Sequence, residues 1–144
     1  MRSLAEIDSR LEALIAQPPA PADAEEMLAL GEDVLKHWVV AQGKEPTKEV
    51  REGFRLLALH RQGADKEPSF NACRETCREL VYHYNLLTLK SDPPPPSQQA
   101  AMMAWVARHL LLFVVGKMET EKLGDFCCAS RPLRAGVDEE NIAQ

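Results

Sequence analysis

The sequence predicts an all-α chain: a bundle of about five helices, a four-helix core plus one packed helix, with a flexible C-terminal tail. Three observations carry that expectation. Apolar residues recur at three-four spacing through most of the chain, clusters of proline and glycine punctuate the stretches so defined, and no segment alternates with period two for long enough to argue a sheet. A chain of 144 residues is the size of one typical domain. Folding at this size buries roughly 70% of the surface the unfolded chain exposes, so a real core can form.

In the first segment Leu4, Ile7, Leu11, Leu14 and Ile15 follow one helical face, and Gln17-Pro18-Pro19-Ala20-Pro21 ends it, which predicts a helix over residues 2–16. Asp23 is then placed to cap a second helix, Glu25 and Glu26 suit its positive start, and Met27, Leu30, Val34, Leu35, Trp38 and Val39 form its stripe before Gly43 stops it. Thr47 is expected to cap a third helix over 47–62, with Val50, Phe54, Leu57 and Ala58 on one side and Gly63 as its left-handed C-terminal residue. After a polar loop, Ser69 is expected to cap a fourth helix whose inward face reads Phe70, Cys73, Cys77, Leu80, Val81, Tyr84 and Leu87.

Pro93 to Pro96 predict a stiff extended connector, since each ring fixes φ and removes a donor. The longest helix follows over 97–123, with Met102, Trp105, Val106, His109, Leu110, Phe113 and Met118 expected on its apolar side. Its segment 109–115 is apolar nearly all round, which places it at the centre of the bundle. The domain is therefore expected over 1–124. Residues 125–144 lack a sustained stripe and contain Pro132 and Gly136, which predicts a mobile tail.

The charge of −5 is unevenly spread, with acidic residues in excess before Gly43, a mildly basic middle and a mildly acidic end. That pattern makes nucleic acid an unfavoured partner, because duplex binders present a strongly basic face to the phosphates. A helix-turn-helix reading with Arg74 and Arg78 in a groove meets too long a connection, and Glu75 and Glu79 would face phosphates. The N-terminus runs directly into a charged amphipathic pattern without a signal-peptide core, so a cytoplasmic location with reduced cysteines is expected. The apolar run 100–115 is shorter than the roughly 20 residues of a membrane span and carries Arg108 and His109, which predicts a buried helix and no membrane association.

Residues that could carry chemistry concentrate around the third and fourth helices. His60, Arg61, Asn71, Arg74, Arg78, Tyr82, His83 and Asn85 form the densest polar cluster and suggest a binding face for an acidic partner or a small anion. Cys73 and Cys77, four apart on a helix, share a face and could offer two thiolates to a soft transition metal such as zinc or copper, or act as a redox pair. Cys127 and Cys128 could complete such a site. The competing reading makes Cys73 and Cys77 small apolar residues on the core stripe.

His109 reads as an interior histidine, and the methionines and tryptophans read as core, so no resident cofactor is implied. No H-E-x-x-H, Glu-x-x-His, phosphate-loop, nucleophile-elbow or kinase pattern occurs, leaving no positive signal for an enzyme. The expected function is that of a non-enzymatic accessory or regulatory protein acting through contacts with a protein partner or with copies of itself.

Overall fold

The computed structural model describes residues 1–17, 19–89 and 97–122. Five α-helices follow one another: α1 (Leu4–Ala16), α2 (Ala24–Ala41), α3 (Arg55–Ala64), α4 (Arg74–Thr88) and α5 (Ser97–Thr120). Short 3₁₀ segments at Pro21–Asp23 and Pro68–Cys73 lead into α2 and α4. No strand occurs among the described residues, and the all-α bundle expected from periodicity is what the chain forms.

The helix starts have local causes. Ser3 caps α1 reciprocally: its Oγ accepts from the Glu6 N–H at 3.1 Å and its own N–H donates to Glu6 Oε1 at 2.8 Å. Arg2 then ties this end to α2, its backbone N–H and guanidinium both donating to buried Asp33. The Asp33 carboxyl is pushed up by burial, but the Arg2 N–H, the Arg2 guanidinium and Lys36 outweigh that and hold it below its usual value.

The third helix differs from its expected span. It begins at Arg55, eight residues after Thr47, because Glu52 and Gly53 both adopt positive φ (54° and 86°) and turn the chain back on itself. Arg51 and Phe54 close that turn with two backbone hydrogen bonds of 3.0 Å. Thr47 caps the turn of chain at Glu49 rather than a helix, and Gln62 anchors this loop through Thr47 N–H and the Glu45 carbonyl. Val50 is consequently exposed rather than inward.

Gly63 is also not the left-handed terminator; it lies inside α3, and the positive φ falls at Lys66. Glycine is needed there for close approach, since a Cβ on it would sit 2.6 Å from Trp38 Cδ1. Likewise Ser69 caps nothing, donating instead to Glu67, and α4 starts at Arg74 after the 3₁₀ turn.

α5 is the central helix, packing on α1, α2 and α4. Among the described helices it is long and apolar enough to cross a membrane, yet here nearly half of that stretch is buried within the bundle. Its inward face is the expected one only in part: Leu110 and Met118 are buried as expected, and Val106 and Phe113 pack against the core. Ala100, Met103, Ala104, Ala107, Leu110, Leu111, Val114, Val115 and Met118 are buried, whereas Met102, Trp105 and Leu112 are half or more exposed. His109 is exposed too, not an interior histidine. The physical reason is spacing: three inward alanines let α5 lie close to its neighbours, and a helix apolar nearly all round gives no reliable phase.

The proline connector Pro93–Pro96, Gly124, Cys127, Cys128 and the expected tail over 125–144 lie outside the described residues.

Candidate functional site

The C-terminal half of α3, the 3₁₀ turn Pro68–Cys73 and the first turns of α4 meet at a cleft of about 190 Å³. Arg51, His60, Arg61, Asn71, Arg74 and Arg78 line it, with Leu57 and Ala64 supplying the apolar part of its wall. Five of the eight residues singled out from the sequence are thus brought together: His60, Arg61, Asn71, Arg74 and Arg78. Tyr82, His83 and Asn85 are not among the lining residues. Tyr82 is exposed and edge-on to His83, His83 is buried with Nδ1 3.3 Å from Gln99 of α5, and Asn85 is exposed further along α4.

The floor of the cleft is held by an aromatic stack that runs into the core. His60 stacks on Phe70 (centroids 5.5 Å, 20°), and Phe70 stacks on Trp38 (4.7 Å, 7°). The Trp38 indole N–H donates to the Gly63 carbonyl at 2.9 Å, and the Lys117 ammonium lies 5.5 Å above the ring centroid. His60 itself is buried, with Nε2 3.2 Å from the Phe70 carbonyl oxygen. Ring stacking and this contact both hold the imidazole in place.

Arg51 reaches the cleft because the Glu52-Gly53 turn carries it there, and that turn is clamped to α4 by a two-point pair. Arg78 Nη2 donates to Glu52 Oε2 at 2.8 Å and Nη1 to Oε1 at 3.3 Å. The Arg78 hydrogen bond and charge hold the Glu52 carboxyl below its usual range, and Arg51 and Arg74 add to the effect. Among the described residues, Arg51, Arg61 and Arg74 form no ion pair of their own. Four guanidiniums therefore line a small concavity with no carboxylate among its lining residues, Glu52 meeting it only as the partner of Arg78. A second cleft of about 530 Å³ adjoins it through Arg51 and Arg61, on the side of the loop holding Lys44 and Thr47.

Cys73, the last residue of the 3₁₀ turn, and Cys77, on the core side of α4, lie beneath this site, and both are fully buried. Cys73 Sγ donates to the Phe70 carbonyl oxygen at 3.2 Å. A hydrogen bond from the Cys77 thiol lowers the Cys73 thiol pKa, against burial and with help from neighbouring His60, while the same contact and burial raise that of Cys77. Among the described residues no group of three or more His, Cys, Asp or Glu side chains is placed to hold a metal ion. The two thiols sit as small residues in the core, with Phe70 and Leu80 in the same buried cluster.

Two features of the surface were not expected from the sequence. Arg51 falls inside the helix expected over 47–62, although the glycine at 53 within a helical pattern is the signal that a turn interrupts it. Met102, Trp105 and Leu112 form an exposed ridge above a groove of about 460 Å³ between α4 and α5.

Comparison with protein-family models, with curated proteins and with solved structures finds no match for this chain.

Proposed function

We propose that this chain is a non-enzymatic recognition protein whose arginine-lined cleft receives an anionic group, carboxylate or phosphate, presented by a protein partner. The observation that carries this reading is the set of four guanidiniums lining one concavity, Arg51, Arg61, Arg74 and Arg78, with no carboxylate among the lining residues and, among the described residues, with Arg78 alone in an ion pair, to Glu52. Guanidinium groups present a planar fork of donors that matches carboxylate and phosphate oxygens, and such charge-assisted hydrogen bonds are about twice as strong as neutral ones. The cleft volume suits one such group rather than an extended ligand.

A protein partner is favoured over nucleic acid by the rest of the surface. A polyanion needs a basic stripe along its track, whereas here four of the chain's 17 lysines and arginines line the cleft and the net charge is −5. The Arg78–Glu52 pair has a second role in this account: it holds the turn that delivers Arg51, so the site is assembled before a ligand arrives.

Calorimetric titration with inorganic phosphate and with an acidic peptide, at about 50 mM salt, tests the reading. Saturable binding is expected, weakened about tenfold or more by Arg61→Gln or Arg74→Gln, since a hydrogen bond to a charged group is worth about 1.5–3 kcal/mol. No saturable heat with either ligand, or equal binding by the arginine variants, would overturn it.

A further inference from the structure

On the far side of α4 from the arginine cleft, α5 presents Met102, Trp105, His109 and Leu112 at spacings of three, four and three. They make a ridge about 15 Å long at 1.5 Å per residue. Trp105 is 55% exposed and Leu112 56%, on the helix that otherwise forms the centre of the bundle. A large aromatic and two long aliphatic side chains left in water on the best-packed helix are the signature of a contact surface, since isolated exposed apolar residues are normal but a contiguous row is not.

The rims of this ridge decide what covers it. On the α4 side the groove wall is Thr76 and Glu79, with exposed Glu75 one turn away on the same face. Neither carboxylate is in an ion pair among the described residues. Arg108 and His109 of α5 line the groove as well; Arg108 reaches Glu12 of α1 at 3.7 Å, and the Glu12 side chain remains 60% exposed. An apolar row flanked by the exposed carboxylates of Glu75, Glu79 and Glu12, against the one guanidinium of Arg108, complements a helix that carries an apolar stripe between basic residues. It opposes a second copy laid antiparallel on it, which would bring the two α4 rims and their carboxylates together, and it opposes an anionic lipid surface.

We propose that the α5 ridge binds a basic amphipathic helix of a partner protein, Trp105 providing the apolar anchor and Glu79 and Glu75 the charge that selects it. The geometry is that of a helix laid into a groove, read through anchors at three-four spacing. This surface is separate from the arginine cleft in place and opposite to it in sign, so one chain can hold two oppositely charged elements at once.

Fluorescence anisotropy of labelled synthetic peptides with the full chain tests this. One peptide of about 18 residues, five helical turns, carries a leucine stripe flanked by lysines; the second carries the same stripe flanked by glutamates. The lysine-flanked peptide should bind at least about tenfold more tightly, with the difference shrinking as salt is raised. Trp105→Ala should weaken it by roughly thirtyfold, the loss of an interface anchor. The substitution lies on an exposed side chain, so an unchanged melting temperature separates lost contact from lost fold. Glu79→Lys with Glu75→Lys should abolish the preference between the two peptides. Binding of neither peptide, equal binding of both, preference for neutral phosphatidylcholine vesicles, or a homodimer in sedimentation that Trp105→Ala dissolves would each overturn the proposal.

Discussion

Replacing Gly63 by alanine is expected to destabilise the protein although it places a better helix former inside a helix. In an unobstructed helix the exchange gains about 1 kcal/mol. Here the new Cβ would lie 2.6 Å from Trp38 Cδ1, 3.0 Å from Trp38 Nε1 and 3.0 Å from Phe70 Cε2. All three are atoms of rings that cannot rotate aside. The indole is tied to the Gly63 carbonyl, stacked on Phe70 and covered by Lys117, so relief must come from moving α3 or the whole stack.

Overpacking of this kind costs about 1–3 kcal/mol, and the rigidity of the neighbours argues for the upper half of that range. Net destabilisation of about 1–2 kcal/mol follows from the two terms.

Two other helical glycines calibrate the argument. At Gly31 the closest approach, 2.5 Å, is to Leu80 Cδ2, the end of a side chain that can turn, so Gly31→Ala should cost less. At Gly116 nothing lies within 4 Å, and Gly116→Ala should stabilise by about 1 kcal/mol. Urea unfolding followed by tryptophan fluorescence measures all three. A Gly63→Ala variant as stable as wild type, or one less damaging than Gly31→Ala, would refute the reasoning.

Ser3→Ala removes one half of the reciprocal cap on α1 and should cost about 1 kcal/mol, with Ser3→Asp close to wild type. Asp33 is held below its usual pKa in the folded state, so its contribution is complete above about pH 4 and is lost as pH falls through the lowered folded value. The stability difference between wild type and Asp33→Asn should therefore shrink on going from neutral pH to below pH 4; a constant difference would contradict the assignment. In a Cys127→Ser, Cys128→Ser background, Cys73 and Cys77 should resist a bulky thiol reagent until the protein unfolds, because both are fully buried despite the lowered pKa of Cys73. Rapid labelling of the native protein would show that α4 opens at its start.

How much of this was legible in the sequence depends on what competed locally. The stripes of α1, α2 and α4 were readable because polar residues separate them cleanly: Ile7, Leu11 and Leu14, or Phe70, Cys73, Cys77, Leu80 and Leu87, are inward as the spacing implies. On α5 apolar residues occupy both faces, and periodicity assigned the bulky Met102 and Trp105 inward. Packing favoured Ala100, Ala104 and Ala107 instead, because small residues allow close approach of helix axes. The expected start of α3 at Thr47 is too early, since Val50, Phe54 and Leu57 mimic helical spacing across a turn that only the positive φ at Glu52 and Gly53 reveals.

The candidate site was half visible for a similar reason. Residues on successive turns of one helix segment, such as Arg74 and Arg78, are neighbours by spacing alone, and His60 and Arg61 joined them through the short connection between α3 and α4. Arg51 depends on a turn and a cross-element pair with no local pattern. Tyr82, His83 and Asn85 share the helix but lie further along it, away from the cleft, which sequence proximity alone does not distinguish.

The most direct test of the central claim is an NMR titration of the full chain with an acidic or phosphorylated peptide, observing the guanidinium Nε–H resonances. The expected result is saturable movement of Arg51, Arg61, Arg74 and Arg78 with a single dissociation constant while Arg2, Arg10 and Arg108 stay in place. Parallel, non-saturating drift of all arginines, or no movement at all, would contradict a built anion site.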